Sequence, residues 1–344
     1  LLMVTPLQQF VLLAGAPADQ WDALAPYFDA VLASLTFFEP AVVVPTSDLA
    51  PGWYAYVNSN VVRDLVVHEE VIYAATLGGV VARDLDGGYA WTATPLDGVG
   101  HVSAHAIAAC EIFGEERIVV GTLKGLSLFD PVSGTWDAAP IAPEESRVAA
   151  NKVTRLYCDR EQRWLLIGYS GLGVLDIDAG DFVRFTDKEG LSWNAVSDIA
   201  VNGSEIWVAS GYNGITQIQG DRVTVHNLAS GMPDERAHAL AFAPDGTLWV
   251  GGSKGLMAYS GGQWTLYEEV TDINEIEVAP DGTLWLATAP LGAGRLCRFD
   301  PGTGSCLVDH RDAEGFPILA LALDPEGRAL YGTSHGVIRY DEAQ

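Results

Sequence analysis

The chain of 344 residues is 49% hydrophobic, so it can bury a large core and does not belong to the intrinsically disordered class. Its 45 acidic and 19 basic residues give a formal net charge of −26, which argues against nucleic acid and anionic membrane surfaces as partners, because both require a basic footprint. The acidic excess is typical of a soluble surface, with a cation site or a basic partner as the alternative interpretations.

No stretch of the sequence reaches the roughly 18 to 20 consecutive apolar residues that a membrane-spanning helix needs. No signal peptide is recognisable either. The chain begins at Leu1, within what reads as a domain, so we expect targeting sequence upstream of it. Membrane association through that upstream sequence therefore stays open.

Residues 1–50 differ in pattern from the rest of the chain. Residues 9–15 predict a strand, and apolar positions on one helical face predict a helix over about 18–34. This stretch resembles the last strand, helix and final strand of the PsbP and DcrB-like lipoprotein domains, which implies a lipid-anchored protein with most of that domain upstream. Prolines and polar residues between 39 and 51 predict a linker.

A sequence repeat then occurs seven times. Each copy has an apolar strand, a Gly/Asp turn, an apolar and aromatic strand ending in Gly or Ala, a loop with Gly, and another strand. Its clearest copies are APDGTLWVG at 243–251 and APDGTLWLA at 279–287. The small residues that close the second strands are Ala75, Gly121, Gly168, Ala209, Gly251, Ala287 and Gly332. Their spacings of 36 to 47 residues leave room for about four strands of roughly five residues in each copy.

This period predicts an all-β fold: a seven-bladed β-propeller of four-stranded blades, preceded by the short strand-helix segment. The blades are expected at about 60–100, 101–148, 149–191, 192–231, 232–269, 270–314 and 315–344. The last copy ends after three strands, whereas residues 52–57 match the outer strand of a blade. This N-terminal strand should therefore complete the last blade and close the ring, which divides the chain into a segment with linker at 1–50 and a propeller at 51–344.

The strongest copies are IWVAS at 206–210, LWVGG at 248–252 and YGT at 331–333, each followed by a turn with Gly. They resemble the two-component-regulator propeller repeat, the blade module of extracytoplasmic sensor regions in bacterial hybrid histidine kinases. The resemblance implies a binding surface outside the cytoplasm, in the periplasm or on the cell surface. No membrane span, kinase or response-regulator sequence follows the last blade in this sequence, which leaves the signalling role open.

Four cysteines are present. Cys297 and Cys306 flank a turn and should lie on paired strands of one hairpin, where a disulfide and two thiols are both compatible with the sequence. Cys110 and Cys158 end the first strands of neighbouring blades, where we expect buried free thiols. No Cys/His spacing suggests a zinc site.

In propellers, the loops that lead into the innermost strands and the turns between second and third strands share one face around the central channel, where ligands usually enter. On this chain those segments predict a ligand- or partner-binding face that carries His105, Lys124, Lys152, Trp193, Tyr212, Asn213, Arg236, His238, Lys254, Phe316 and His335. The alternative interpretation is structural: such lysines are solvated turn residues, and such histidines form hydrogen bonds to a neighbouring blade. Trp207, Trp249 and Trp285 are expected in the core between blades.

The sequence has no nucleophile elbow, phosphate-binding loop or metal triad, which favours a non-catalytic extracytoplasmic binding or assembly module that presents this face to a protein partner or a small molecule. One alternative is a small-molecule sensor domain of a signalling system. The other is a propeller lyase resembling the streptogramin-cleaving enzymes, with His105 or His238 as base and Mg²⁺ as electrophile. No catalytic residue, cofactor or metal ligand is assigned, although Asp198, Glu275 and Glu277 leave a bound Ca²⁺ or Mg²⁺ as an alternative.

Overall fold

The computed structural model describes residues 2–4, 9–11, 53–57, 61–137, 148, 151–288, 294–311 and 316–340. The chain forms two compact units, Leu1–Val43 and Val44–Gln344. In the first unit, strand β1 (Leu2–Val4) pairs antiparallel with β2 (Gln9–Val11). The helix predicted over 18–34 lies outside the described residues. No helix in the described part of the chain has both the length and the apolar character needed to cross a membrane.

The second unit is a ring of seven antiparallel sheets of four strands each, which confirms the predicted seven-bladed propeller. Blade 1 consists of β4 (Val62–His68), β5 (Val71–Thr76), β6 (Gly79–Asp84) and β7 (Tyr89–Ala93). Blade 2 consists of β8 (Ala104–Ile112), β9 (Glu115–Thr122), β10 (Gly125–Asp130) and β11 (Thr135–Asp137). Blade 3 consists of β12 (Arg155–Asp159), β13 (Trp164–Tyr169), β14 (Gly171–Asp176) and β15 (Phe182–Phe185).

Blades 4 to 6 continue the same order. Blade 4 consists of β16 (Asp198–Asn202), β17 (Glu205–Ala209), β18 (Ile215–Gln219) and β19 (Arg222–His226). Blade 5 consists of β20 (Ala237–Phe242), β21 (Leu248–Gly252), β22 (Leu256–Ser260) and β23 (Gln263–Tyr267). Blade 6 consists of β24 (Ile273–Val278), β25 (Leu284–Thr288), β26 (Arg295–Asp300) and β27 (Ser305–Arg311). A short 3-10 turn, Leu228–Ser230, follows β19.

Blade 7 takes its outer strand from the N-terminal side of the propeller. Its sheet has the order β28 (Ala320–Leu323), β29 (Ala329–Thr333), β30 (Gly336–Tyr340) and β3 (Trp53–Val57). In the β3–β30 pair, Trp53 lies opposite Tyr340 and Val57 lies opposite Gly336. The pairing joins the two ends of the propeller and covers the edge that β30 would otherwise expose.

The hydrophobic core lies between the blades. Within the described residues, each of seven buried clusters joins two neighbouring blades. The cluster at the closure of the ring contains Leu65 and Ile72 of blade 1 together with Leu330 and Val337 of blade 7. The side chains of Trp207, Trp249 and Trp285 are buried, which confirms their predicted place in the core.

The small residue that closes each second strand permits neighbouring blades to approach closely. A Cβ atom added at Gly332 would lie 2.4 Å from Val62 Cγ1 of the next blade, and one added at Gly251 would lie 2.6 Å from Ile273 Cγ2. Gly121 meets Val153 in the same way. The repeat therefore keeps Gly or Ala at this position because the aliphatic residue that opens the next innermost strand packs against it.

Both cysteine pairs form disulfides. Cys297 and Cys306 join β26 to β27 within blade 6. Cys110 and Cys158 are also bonded, across blades 2 and 3, so the expectation of free thiols at these two positions was wrong. The innermost strands of neighbouring blades converge on the channel, and this convergence brings the two Cα atoms to 5.6 Å.

Candidate functional site

At the end of the channel where the innermost strands begin, each blade contributes one residue to the wall of a single cavity of about 370 Å³. Each of these residues directly precedes the strand position that pairs with the small closing residue of its blade. We call this set the upper ring; it consists of Arg63, His105, Thr154, Ser197, His238, Asn274 and Leu319.

Four members of the upper ring lie in β-bulges. The pairing between the first and second strands skips Arg63, His105, His238 and Asn274, each of which is an extra residue on its innermost strand. A bulge redirects the side chain of the unpaired residue and is over-represented beside functional sites. These bulges therefore explain how residues from four separate blades reach one cavity.

The cavity carries two cations without a carboxylate partner among the described residues. Arg63 Nε is buried and has no hydrogen-bond partner. Lys152 also lines the cavity, and its side chain is exposed at the mouth. On a protein with a formal net charge of −26, this is a local concentration of positive charge.

The two cavity histidines bond to serine hydroxyl groups. His105 Nε2 lies 3.0 Å from Ser103 Oγ, and His238 Nε2 lies 3.5 Å from Ser253 Oγ. Burial lowers the pKa of His105 to about 4, with Lys152 contributing further to the shift. Burial also lowers the pKa of His238. His105 is therefore uncharged near neutral pH.

Below the upper ring, Arg155 lies among three carboxylates. Its Nη2 donates to Glu275 Oε1, its Nε donates to the carbonyl oxygen of Ser197, and the same Nε lies 3.8 Å from Asp198 Oδ1. Burial opposes the charged form of Arg155, but the neighbouring carboxylates outweigh it and raise its pKa. This guanidinium is therefore permanently charged and compensates part of the acid in the channel.

Two of these carboxylates also link neighbouring blades. Asp64 Oδ2 accepts the backbone N–H of Ile107 at 2.9 Å, and Asp198 Oδ2 accepts that of Leu240 at 2.7 Å. Burial raises the pKa of Asp64 to about 6 and also raises the pKa of Asp198. Their contacts give both residues a structural role, since each joins the innermost strand of one blade to that of the next.

Farther along the channel, Glu277 lines a second cavity of about 330 Å³ together with Leu65, Pro280 and Leu323. The side chain of Glu277 is partly exposed to solvent, but most of its surroundings on the channel wall are protein. Burial, with repulsion from Asp198, raises the pKa of Glu277 to about 8. Burial likewise raises the pKa of Glu275 to about 8, against the opposing effect of Arg155. The channel therefore holds carboxyl groups that are protonated over part of the neutral range.

Of the residues predicted from the sequence, the structure brings His105, Lys152 and His238 together in the upper cavity. The others lie in the surrounding loops and turns: Lys124, Tyr212, Asn213, Lys254 and His335 between second and third strands, and Trp193, Arg236 and Phe316 before innermost strands. Backbone hydrogen bonds join the turns between second and third strands to the loops before innermost strands. For example, the Gly125 N–H donates to the carbonyl of Asn151 at 2.9 Å.

Several of these loop residues have local partners. Lys254 Nζ donates to the carbonyl of Pro233 at 3.0 Å. Arg236 Nε lies 3.8 Å from Asp234 Oδ1. The rings of Phe316 and His335 stack with their centroids 3.8 Å apart.

Two aromatic residues remain prominent on the surface of this face. Trp193 is 52% exposed and Tyr212 is 64% exposed. Both belong to loops of blade 4.

The sequence interpretation did not assign Arg63, Thr154, Ser197 or Leu319 to the site. Aligning all seven copies on the small closing residue would have exposed one variable position per copy, which is the signal for the upper ring. Among the described residues, no group of three or more His, Cys, Asp or Glu side chains has an arrangement that could hold a metal ion.

No protein-family model and no curated protein matches this sequence. Among solved structures, it is similar to the extracellular domain of a protein assigned to a hybrid two-component system of B. thetaiotaomicron, with a TM-score of 0.69 and 15% identity over 86% of this chain and 41% of that one. A one-component-system extracellular domain from B. thetaiotaomicron gives a TM-score of 0.67 at 15% identity, over 86% of this chain and 40% of that one.

The WD40 propeller domain of Doa1 is also similar, with a TM-score of 0.64 and 15% identity over 86% of this chain and 98% of that one. The present chain spans about two fifths of the length of the two bacterial proteins. At these identities the likeness shows the fold, and it agrees with the propeller type that the repeat resembles.

Proposed function

We propose that this protein is a non-catalytic binding module that acts outside the cytoplasm and binds its ligand in the cavity of the upper ring. The observation that carries the proposal is the upper ring itself, in which the seven blades place six kinds of side chain around one open cavity. A cavity with a few convergent polar groups is the usual form of a ligand site.

The two disulfides support a place outside the cytoplasm. All four cysteines are bonded, and disulfides persist in oxidising compartments but are rare in the reducing cytoplasm. The similar bacterial structures are extracellular domains, which agrees with this assignment. Attachment to a membrane through a lipid remains part of the proposal.

The cavity chemistry favours binding over catalysis. A histidine that acts as a general base needs a pKa near the working pH and usually a partner that orients it. His105 has its pKa lowered to about 4, and its described hydrogen bond goes to the hydroxyl of Ser103 rather than to a carboxylate. His105 therefore lacks the features of a general base that the lyase alternative needs. A small-molecule sensor, in contrast, would bind its ligand in the same cavity.

The exposed aromatic residues of blade 4 favour a second candidate, a protein partner on the same face. Trp193 and Tyr212 present apolar surface of the kind that interface cores use. This candidate is compatible with a ligand in the cavity.

The test is retention of a compound from a metabolite extract. Purified protein would be equilibrated with the extract, desalted and denatured, and the released compounds identified by mass spectrometry. We expect Leu319→Trp, which fills the upper cavity, to abolish retention, while Leu323→Trp, which fills the lower cavity, preserves it. Equal retention by both variants, no retention by the unaltered protein, or conversion of the compound into a product would contradict the proposal.

A further inference from the structure

Resting on the proposed function, we infer that the ligand of the upper cavity is a small monocarboxylic acid that carries a hydroxyl group. Arg63 and Lys152 supply the charge that binds the carboxylate, and Asn274 accepts a hydrogen bond from the hydroxyl. Arg63 and Asn274 both line the cavity, and each has a buried polar atom without a hydrogen-bond partner within the described structure.

Arg63 is the anchor for the carboxylate. Its Nε is buried, and it lacks a hydrogen-bond partner within the described structure. Leaving a buried donor unpaired costs free energy, and a charged donor costs more. A carboxylate offers two oxygen atoms that match the planar guanidinium, so its binding would satisfy the donor with favourable geometry.

The charge of the cavity favours an anion. Glu275 is the only carboxylate among the described lining residues, and Arg155 already pairs with it. His105 is neutral, because burial and the nearby cations lower its pKa. Arg63 and Lys152 are therefore lining cations that no lining carboxylate compensates.

The hydroxyl requirement comes from Asn274. Its Nδ2 donates to the carbonyl of Ile318 at 2.9 Å, which fixes the orientation of the amide. The opposite atom, Oδ1, is buried and has no donor within the described structure. Since an oxygen of this kind accepts but cannot donate, it calls for a ligand O–H or N–H group, and a hydroxyl carries no positive charge that Arg63 and Lys152 would repel.

The other hydroxyl-bearing members of the ring already have acceptors. Thr154 Oγ1 donates to the carbonyl of Val196 at 3.0 Å, and Ser197 Oγ donates to the carbonyl of Ala237 at 3.2 Å. Asn274 Oδ1 is therefore the side-chain oxygen of the upper ring that is buried without any hydrogen bond within the described structure.

Three acids in and beside the cavity favour a monoanion over a dianion. Asp64, Asp198 and Glu275 lie one position deeper on their strands than the upper ring. The repulsion from those of them that are ionised grows in proportion to the charge of the ligand, and in this partly desolvated channel it is weakly screened. A carboxylate is therefore preferred to a phosphate, although both suit an arginine.

The test is isothermal titration calorimetry on the intact chain with three acids: glycolate, L-lactate and D-gluconate. Their matched neutral compounds are ethylene glycol, propane-1,2-diol and sorbitol, and inorganic phosphate is the competing anion. We expect at least one acid to bind with a stoichiometry of one and at least about tenfold more tightly than its neutral counterpart and than phosphate, the usual effect of a charge-assisted bond.

Variants assign the contacts. Arg63→Gln should weaken binding of the acid by about tenfold or more. Arg222→Gln removes the same charge from the exposed outer strand of blade 4 and should leave binding unchanged. Lys152→Gln, at an exposed position, gives a second test that does not depend on the buried arginine. Asn274→Ala should weaken L-lactate more than propionate, which lacks the hydroxyl.

The inference is overturned if none of the three acids binds, if a neutral compound or phosphate binds as tightly, or if Arg63→Gln and Lys152→Gln both retain full affinity. These failures are distinguishable from a failure of the proposed function. A neutral metabolite that the protein retains from an extract and that Leu319→Trp loses would preserve the binding site while refuting its preference for hydroxycarboxylates.

Discussion

Between the blades, the same kinds of residue meet again and again, whereas around the upper ring no two neighbouring positions carry the same side chain. Gly121, Gly168, Gly251 and Gly332 each lie against a branched aliphatic residue of the next blade. The ring residues, which directly follow these aliphatic residues in the chain, comprise cations, histidines, hydroxyl groups, an amide and a leucine.

The difference separates the two tasks of the repeat. An interface that recurs in every blade is selected for close packing, since each blade must bury its faces against two neighbours. A position that changes from blade to blade adds nothing to that shared requirement. Its variation is therefore informative about what the cavity binds.

Removing the closing strand should have the largest effect on the interfaces. Deleting residues 1–57 takes away β3 and its five paired positions on β30. At about 1 kcal/mol of net stability for each backbone hydrogen bond, we expect a loss of about 5 kcal/mol or a breakdown of cooperative unfolding. Deleting only residues 1–43, the first compact unit, is the control and should leave the denaturation midpoint of the propeller unchanged.

The inter-blade disulfide should come next. Replacing Cys110 and Cys158 together by serine opens a loop with a sequence separation of 48, and a chain-entropy estimate gives a loss of about 4 kcal/mol. The matched pair, Cys297 and Cys306, has a separation of 9 and should lose only about 2.5 kcal/mol by the same estimate. Urea denaturation of both double variants measures the contrast, and an equal loss would contradict it.

A single methyl group should damage one interface. Gly332→Ala places a Cβ against Val62, and we expect a loss of about 2 kcal/mol from overpacking. Adding Val62→Ala should recover part of the loss, because the interface of blades 1 and 2 already accommodates Ala75 and Ala104 in one cluster. A double variant less stable than the single variant would show that the clash is not the cause.

The channel acids should make stability depend on pH. The folded pKa of Glu277 is raised from 4.5 to about 8, so the unfolded chain loses its proton first and stability falls as the pH rises through this window. Glu277→Gln should remove up to about 1.4 kcal/mol per pH unit of that slope, and should stabilise the protein at pH 8 relative to pH 5. Glu268→Gln, on an exposed loop, is the control; a slope unchanged by Glu277→Gln would refute the assignment.

A ring residue should have the smallest effect on stability. His105→Asn removes a side chain whose described hydrogen bond goes to a serine two residues away. We expect the free energy of unfolding to change by less than about 0.5 kcal/mol. A change as large as that of Gly332→Ala would break the distinction between interface and ring.

The sequence was sufficient for the fold because the propeller is specified locally and repeatedly. The Asp-Gly turns illustrate this, since Asp245 and Asp281 accept the N–H groups of Thr247 and Thr283 at 2.9 and 3.0 Å. Such bonds depend only on neighbours along the chain. The predicted number of blades and their four strands follow from turns of this kind.

The site was less predictable because it depends on pairing register and on radial convergence. Nothing local shows that Arg63 and Asn274 would be bulged residues, since a bulge is defined only against the partner strand. Likewise, the Cys110–Cys158 bond arises where two innermost strands approach the axis. His105 and His238 were predictable because they occupy matching points of their copies.

The pairing of β3 with β30 also determines how the propeller would respond to a mechanical force. Trp53, the first residue of β3, lies opposite Tyr340, the last residue of β30. The chain therefore enters and leaves the propeller at the same end of one antiparallel strand pair. A force that separates them would load the backbone hydrogen bonds one after another, as in a zipper, rather than all together in shear. The ring would therefore open at this seam under a small load, even where it resists heat and denaturant.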